Sequence, residues 1–187
     1  MHRREALAAI ASAGVVAGGG AVAAYGGPSI REVLDEDGDD GRQYEPLEIE
    51  TVAAPGSEAG TVLVPPPGEP MLVDFFATWC EPCIEQMDSL GQAHDRIGDE
   101  VRFLSVTNEA VGRSITEAEL VEWWAEHDGN WLLGLDPTVK LAERHLGTSY
   151  PAAVAFDADG RVQWADSGVK TADELVAGIE QALESDT

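Results

Sequence analysis

The sequence predicts an α/β layer fold with a mixed central sheet flanked by helices, and three observations carry that expectation. The short apolar run at Met71–Phe76 suits a buried strand. Capping boxes at Thr116-Glu117-Ala118-Glu119 and Thr171-Ala172-Asp173-Glu174 each open a segment with apolar residues at helical spacing. Between two strand-like stretches, Asp157-Ala158-Asp159-Gly160 is a hairpin turn signal, so strands of both directions share the sheet.

In chain order, the folded domain is expected to start at Pro46 and run over residues 46–187, opening with an N-terminal hairpin over residues 47–64. After the strand at Met71–Phe76, a helix is expected from Cys83 with Ile84, Met87 and Leu90 on one face, and then a strand over residues 101–106. The box at Thr116 begins a helix carrying Leu120, Trp123, Trp124 and His127, followed by a strand at 131–135. A short helix starts at Asp136-Pro137 and ends at Gly147, the usual placing of proline and glycine. Beyond Pro151 come the strands 152–156 and 161–165 and a last helix packing through Leu175, Ile179 and Leu183. Helix, strand and helix between residues 116 and 147 are extra to the strand-helix-strand that precedes them and the hairpin and helix that follow. The length of 187 residues suits one such domain with additional segments, not two full domains.

Those segments lie at the start. Arg3-Arg4 precedes an apolar stretch over residues 6–25, the layout of an export signal or membrane anchor assigned to residues 1–27. With Leu7 it resembles a twin-arginine signal in which the usual Phe-Leu pair is reduced to Ala6-Leu7. Ala21-Val22-Ala23 offers a small-residue cleavage site, and the uncut stretch is about long enough to span a bilayer, so release and tethering are both compatible with it. Any membrane contact is expected only through this segment, if it stays uncleaved. Glycines 14, 18, 19 and 20 argue against a buried helix there. Residues 28–45, with Asp35-Glu36-Asp37-Gly38-Asp39-Asp40, carry too few apolar groups to order themselves and read as an acidic disordered linker. A calcium loop is the alternative, but the spacing departs from the EF-hand pattern.

Asp and Glu number 35 against 11 Lys and Arg, for a net charge of −24. That balance excludes the clustered cations that nucleic-acid binding requires. Lys140 and Lys170 are the only lysines, and the composition resembles proteins of salt-loving archaea, whose acidic surfaces stay soluble where salt screens charge.

Two cysteines are present, three positions apart in Cys80-Glu81-Pro82-Cys83, where a bridge closes almost no loop and adds little stability. Their purpose is chemical. Placed where a strand gives way to a helix, the first sulfur meets unpaired N–H groups and the positive end of the helix dipole, which favour the attacking thiolate. Pro82 fits a first helical turn, and Cys83, one turn behind, is placed to resolve a mixed disulfide. A zinc site needs about four ligands, and no second pair completes one; His127 reads as part of a helix face, and His94 and His145 as surface residues. No metal and no cofactor beyond a Cys80–Cys83 redox-active disulfide is expected. Asp74 stands in an otherwise apolar strand six positions before Cys80, where burial would raise its pKa and make it a usable proton carrier. The negative charge of Glu81 opposes a thiolate on Cys80, and with Pro82 it is a tuning residue. Trp79 is a candidate lid over the sulfur and substrate surface, while Trp123, Trp124, Trp131 and Trp164 read as core or partly buried residues.

The run Val73-Asp74-Phe75-Phe76-Ala77-Thr78-Trp79-Cys80-Glu81-Pro82-Cys83 resembles the active-site strand and turn of thioredoxins, especially TlpA-like disulfide reductases, over residues 46–185. The resemblance implies a thioredoxin-like fold with a helix-strand insertion between its two halves and a cis-proline opposite the cysteines. Gly147-Thr148-Ser149-Tyr150-Pro151 stands where that proline belongs, making Pro151 the candidate, with the backbone before it exposed to pair with substrate. Tyr150 departs from the Thr or small residue usual there and joins Trp79 and Pro151 as a substrate-binding candidate. The resemblance also implies that Asp74 deprotonates Cys83, that the partners are disulfide-containing exported proteins and a membrane electron donor, and that the protein works at the outer face of the cell membrane. Reduction of apocytochrome c is one use known in the family. An oxidase or isomerase would keep the same motif. A non-catalytic binding or copper-carrier module lacks the Met or His that would complete its site, and a peroxiredoxin would need the lone peroxidatic cysteine that is missing here.

Overall fold

A computed structural model of the chain describes residues 44–145 and 149–185. The export signal, nearly all of the acidic linker and the helix end expected at Gly147 lie outside the described residues. Seven strands form one sheet: β1 (Leu47–Thr51), β2 (Gly60–Val64), β3 (Met71–Phe76), β4 (Arg102–Thr107), β5 (Leu132–Leu135), β6 (Ala152–Phe156) and β7 (Val162–Ser167). Four helices accompany them: α1 (Glu81–Ile97), α2 (Glu117–Glu126), α3 (Lys140–His145) and α4 (Ala172–Glu184).

The spatial order is β2-β1-β5-β4-β3-β6-β7. Strands β3, β4 and β5 are parallel, whereas β6 runs antiparallel to β3 and β7 antiparallel to β6. The N-terminal hairpin β1–β2 joins through the antiparallel pairing of β1 with β5. The insertion therefore contributes the strand that ties the hairpin to the rest. This is the mixed α/β architecture expected from the run of strand and helix signals, with β3 near the centre, buried at all six positions.

Alternation along β3 divides its side chains between two cores. Leu72 and Phe76 face a core built with α1, α2 and α4, rich in aromatic rings, which also holds Cys80 and Cys83. Met71, Val73 and Phe75 face a second, mostly aliphatic core closed by Leu141 and Ala142 of α3. Asp74, two residues from both Leu72 and Phe76, takes the first face, and its cross-strand neighbour Ala153 belongs to that same core.

Both Thr capping boxes form as expected: Thr116 accepts from the Glu119 N–H and Thr171 from the Glu174 N–H, with each glutamate bonding back to its threonine. On α4, Gly178 lets the indole of Trp164 lie directly on the helix, since a Cβ there would stand 2.4 Å from the ring.

Several local expectations are corrected. Helix α1 starts at Glu81, two residues earlier than expected, because Cys80 itself is the N-cap and its carbonyl accepts from the Cys83 and Ile84 N–H groups. Its buried face is Cys83, Gln86, Met87, Leu90, Ala93 and Ile97. Ile84, one position on from Cys83 and so about 100° around the helix, is exposed. Helix α3 begins at Lys140 instead of Asp136, because the buried Asp136 carboxylate reaches past Val139, at φ 61°, to accept from the N–H groups of Lys140, Leu141 and Ala142. Strand β7 starts at Val162, because Asp157 takes the Arg161 N–H into the turn. His145 is buried between the rings of Tyr44 and Phe156, contrary to its reading as a surface residue. Domain contacts also begin before Pro46: Tyr44 packs edge-on to His145, and the Glu45 carbonyl accepts from Arg144.

Candidate active site

The turn from β3 into α1 closes with a hydrogen bond from the Cys80 N–H to the Ala77 carbonyl at 3.1 Å. Cys80 is extended, at φ −89° and ψ 101°, and its side chain makes no capping bond. Instead its sulfur is joined to that of Cys83 in a disulfide, with Cα atoms 5.2 Å apart. Glu81 and Pro82 are both exposed in the first turn of α1. Both cysteines are buried, Cys80 at 5% exposure slightly less so than Cys83 at 1%.

Trp79, immediately before the motif, is 71% exposed, the largest figure among the exposed large hydrophobics of the described residues. Its ring meets that of Tyr150 edge-on, with centroids 6.2 Å apart. The Tyr150–Pro151 peptide is cis. Pro151 is buried, and its carbonyl accepts the Gly168 N–H at 2.8 Å. Two residues further, the Lys170 N–H donates to the Gln86 side chain of α1 at 2.7 Å, so the loop after β7 is fastened to both the proline and the cysteine helix. Val169, between these two anchors, is exposed. Burial, followed by the charges of Asp136 and Glu109, raises the Tyr150 hydroxyl above its ordinary pKa, partly offset by a hydrogen bond with Asn108.

Behind this rim lies Asp74. Ser105 of β4, its parallel neighbour in register, donates to Oδ2 at 3.1 Å, and Trp131 donates through Nε1 to the Ser105 hydroxyl at 2.9 Å. Oδ1 has no hydrogen-bond partner among the described residues. Burial pushes the Asp74 carboxyl up to about 7, against the smaller lowering effect of the Ser105 bond. An acid in this position is half ionised near neutrality, the condition for giving and taking a proton there.

Several contributors carry no motif. Glu109, just beyond β4, accepts from the Thr78 N–H at 2.7 Å and from the Thr78 hydroxyl at 3.0 Å, holding the turn that presents Trp79 and Cys80. Gln86, Ser105, Asn108 and Trp131 likewise act through pairings between elements distant in the chain. The available signal was positional: Glu109 follows the C-terminal end of a parallel strand, the edge where functional loops gather in α/β sheets. A second cis peptide, Val64–Pro65, lies at the end of the hairpin. Among the described residues no three His, Cys, Asp or Glu side chains are grouped to hold a metal ion, and no helix is long and apolar enough to cross a membrane.

Comparison with known proteins agrees with this geometry. Residues 63–183 match the model of the Redoxin family. Thioredoxin Y of rice chloroplasts is 37% identical over 116 residues, covering 62% of this chain and 52% of the relative, so the chain spans about half the length of that protein. Among solved structures, a thiol:disulfide interchange protein DsbE of Chlorobium tepidum is similar, with a TM-score of 0.64 at 19% identity, covering 78% of this chain and 98% of that one. A secreted disulfide oxidoreductase of Mycobacterium tuberculosis gives a TM-score of 0.58 at 18% identity over 72% of this chain and 94% of its own. Fold, family match and the Cys80–Cys83 pair at the head of α1 converge: the chain belongs to the Redoxin family and carries a Cys-x-x-Cys disulfide on a thioredoxin-like fold.

Proposed function

We propose that the protein is an extracytoplasmic disulfide reductase, with Cys80 as nucleophile, Cys83 as resolving thiol and Asp74 as the acceptor of the Cys83 proton. The observation that carries this reading is the disulfide at the start of α1 with a buried carboxyl of near-neutral pKa on the β3 face that packs against the same core.

The Cys80 thiolate, favoured by the helix N-terminus, attacks one sulfur of a substrate disulfide, and the other substrate sulfur leaves as a thiolate that takes a proton from solvent. The Cys83 thiol then gives its proton to Asp74, through water, and its sulfur bonds that of Cys80 as the second substrate sulfur leaves. Substrate gains two electrons and the dithiol becomes the disulfide. A membrane protein relaying electrons returns it to the dithiol. Trp79, Tyr150 and Pro151 receive the substrate chain: exposed Trp79 and half-buried Tyr150 form an aromatic rim beside the sulfur. Glu81, in the first turn, moderates the thiolate, and Pro82 stiffens the loop.

The extracytoplasmic assignment is supported by Arg3-Arg4 ahead of the apolar stretch 6–25, outside the described residues, and by the secreted relative. On this reading the acidic composition suits a protein exposed to a salty exterior, and residues 28–45 tether the domain to the membrane side. Substrates are disulfide-bearing exported proteins, apocytochrome c among them.

Direction is tested by equilibrating the full chain with thiol buffers of known potential. A reductase is expected near the thioredoxin value of about −270 mV. A potential near about −120 mV, that of the strong oxidant DsbA, would overturn the reductase reading in favour of an oxidase.

A further inference from the structure

The two oxygens of Asp74 are held differently, and the cause lies outside the cysteine motif. Oδ2 accepts from Ser105, whereas Oδ1 has no partner among the described residues. A serine hydroxyl can donate or accept, so on its own it would follow the charge of its neighbour. Trp131 removes that choice. An indole N–H only donates, and it spends that bond on the Ser105 oxygen, which leaves the serine proton for Asp74.

We propose that Ser105 and Trp131 are positioning residues for Asp74: together they fix Oδ2 as a standing acceptor and leave Oδ1 as the oxygen that takes up and returns the proton. The proposal rests on the reading of Asp74 as proton acceptor for Cys83. Were Oδ2 to carry the proton, the Ser105 hydroxyl would have to turn away from it and find another acceptor inside a fully buried site. The arrangement also opposes burial by stabilising the ionised form, which keeps the carboxyl within reach of neutral pH.

Groups facing Asp74 from its surroundings are otherwise neutral: Leu72 and Phe76 along β3, Ala153 across on β6, and Ser105 on β4. The titratable and charged groups on the elements packed around it are Cys80, Glu81 and Cys83 at the head of α1, Glu85, Asp88, His94, Asp95 and Arg96 further along it, Arg102 at the start of β4, Glu109 beyond its end, Glu117, Glu119, Glu122 and Glu126 on α2, and Asp173, Glu174, Glu180 and Glu184 on α4. Of the latter set, His94 is the one in ring contact with Trp131, at 5.5 Å.

Two measurements on the full chain test this. The first is the pH profile of mixed-disulfide resolution, whose rate rises as Asp74 ionises. The second is the titration of the Asp74 carboxyl carbon by NMR in the oxidised protein. Ser105→Ala is expected to displace both upward by about one pH unit, making resolution roughly five-fold slower at pH 7. Trp131→Phe, which frees the serine hydroxyl to turn, shifts both in the same direction by less. Ser105→Thr, which keeps a hydroxyl, restores the parent profile and guards against a general packing effect. An unmoved carboxyl titration in Ser105→Ala overturns the proposal. A titration that moves while Asp74→Asn leaves the kinetic profile intact overturns instead the role given to Asp74, and with it the assignment of Oδ1 as the working oxygen.

Discussion

On the two sides of the sheet, burial acts on Asp74 and on His145 and drives both toward the neutral form with opposite signs of shift. In the aromatic core Asp74 is raised to about 7; in the aliphatic core His145 is lowered to about 4, chiefly by burial and secondarily by the charge of Arg144. His145 is therefore neutral throughout the neutral range and serves as packing between Tyr44 and Phe156. Asp74 stands at its threshold in that range, in the core that holds the cysteines. Similar burial thus produces an inert group on one face and a titrating one on the other, and the difference comes from the starting pKa of each residue type and from the hydrogen-bond chain through Ser105.

Substitution at either group should break the symmetry in stability. The raised pKa of Asp74 means that its contribution is fully present below about 4 and is lost as pH rises toward 7, because the unfolded chain releases the proton first. The loss integrates to about 4 kcal/mol. Asp74→Asn is accordingly expected to gain about that much relative to the parent between pH 4 and pH 8 in denaturant titrations, while slowing resolution. A stability difference that does not change with pH would contradict the burial argument.

The opposite window applies to His145. Its lowered pKa leaves its contribution intact above about 6.5 and removes it as pH falls toward 4, by about 3 kcal/mol. His145→Phe is expected to flatten the acid limb of the stability profile by that amount and to leave disulfide exchange at pH 7 unchanged. Equal stabilities of parent and variant at pH 4 and at pH 7, measured by chemical denaturation, would show that His145 does not titrate in the fold.

A smaller effect probes how tightly the aromatic core is packed. Ala at position 178 would gain about 1 kcal/mol of helix propensity, but its Cβ would meet the Trp164 indole at 2.4 Å. Overpacking of this kind costs about 1 to 3 kcal/mol, so Gly178→Ala is expected to be net destabilising by about 1 kcal/mol. An increase in midpoint would mean that Trp164 moves freely and that this core is looser than the geometry states.

Much of this contrast was legible in the residues. The strand Met71–Phe76, the two Thr capping boxes, the Asp157–Gly160 turn region and the cysteine pair were readable because each depends on a local pattern of two to seven residues. Asp74 was readable for the opposite reason, as a charge that its own strand could not account for. The start of α1 was misplaced because Cys80 caps it without a side-chain hydrogen bond, and α3 because Asp136 caps it from across a left-handed Val139. Ile84 was assigned to the wrong environment because a helical period fixes spacing but not which of two adjacent arcs meets the core, and His145 because the rings that bury it, Tyr44 and Phe156, come from distant segments. The roles of Glu109, Ser105 and Trp131 were not readable because they come from contacts between segments far apart in the chain, which no single segment encodes.

The central claim is that Cys80 attacks and Cys83 resolves. Cys83→Ala in the full, reduced chain, mixed with a disulfide-bonded protein, removes the resolving step and should leave that protein covalently attached through Cys80, released by dithiothreitol and absent when Cys80→Ser is added. No adduct on the Cys83→Ala chain, together with an adduct on Cys83 in a Cys80→Ser chain, would contradict it by reversing the order of attack.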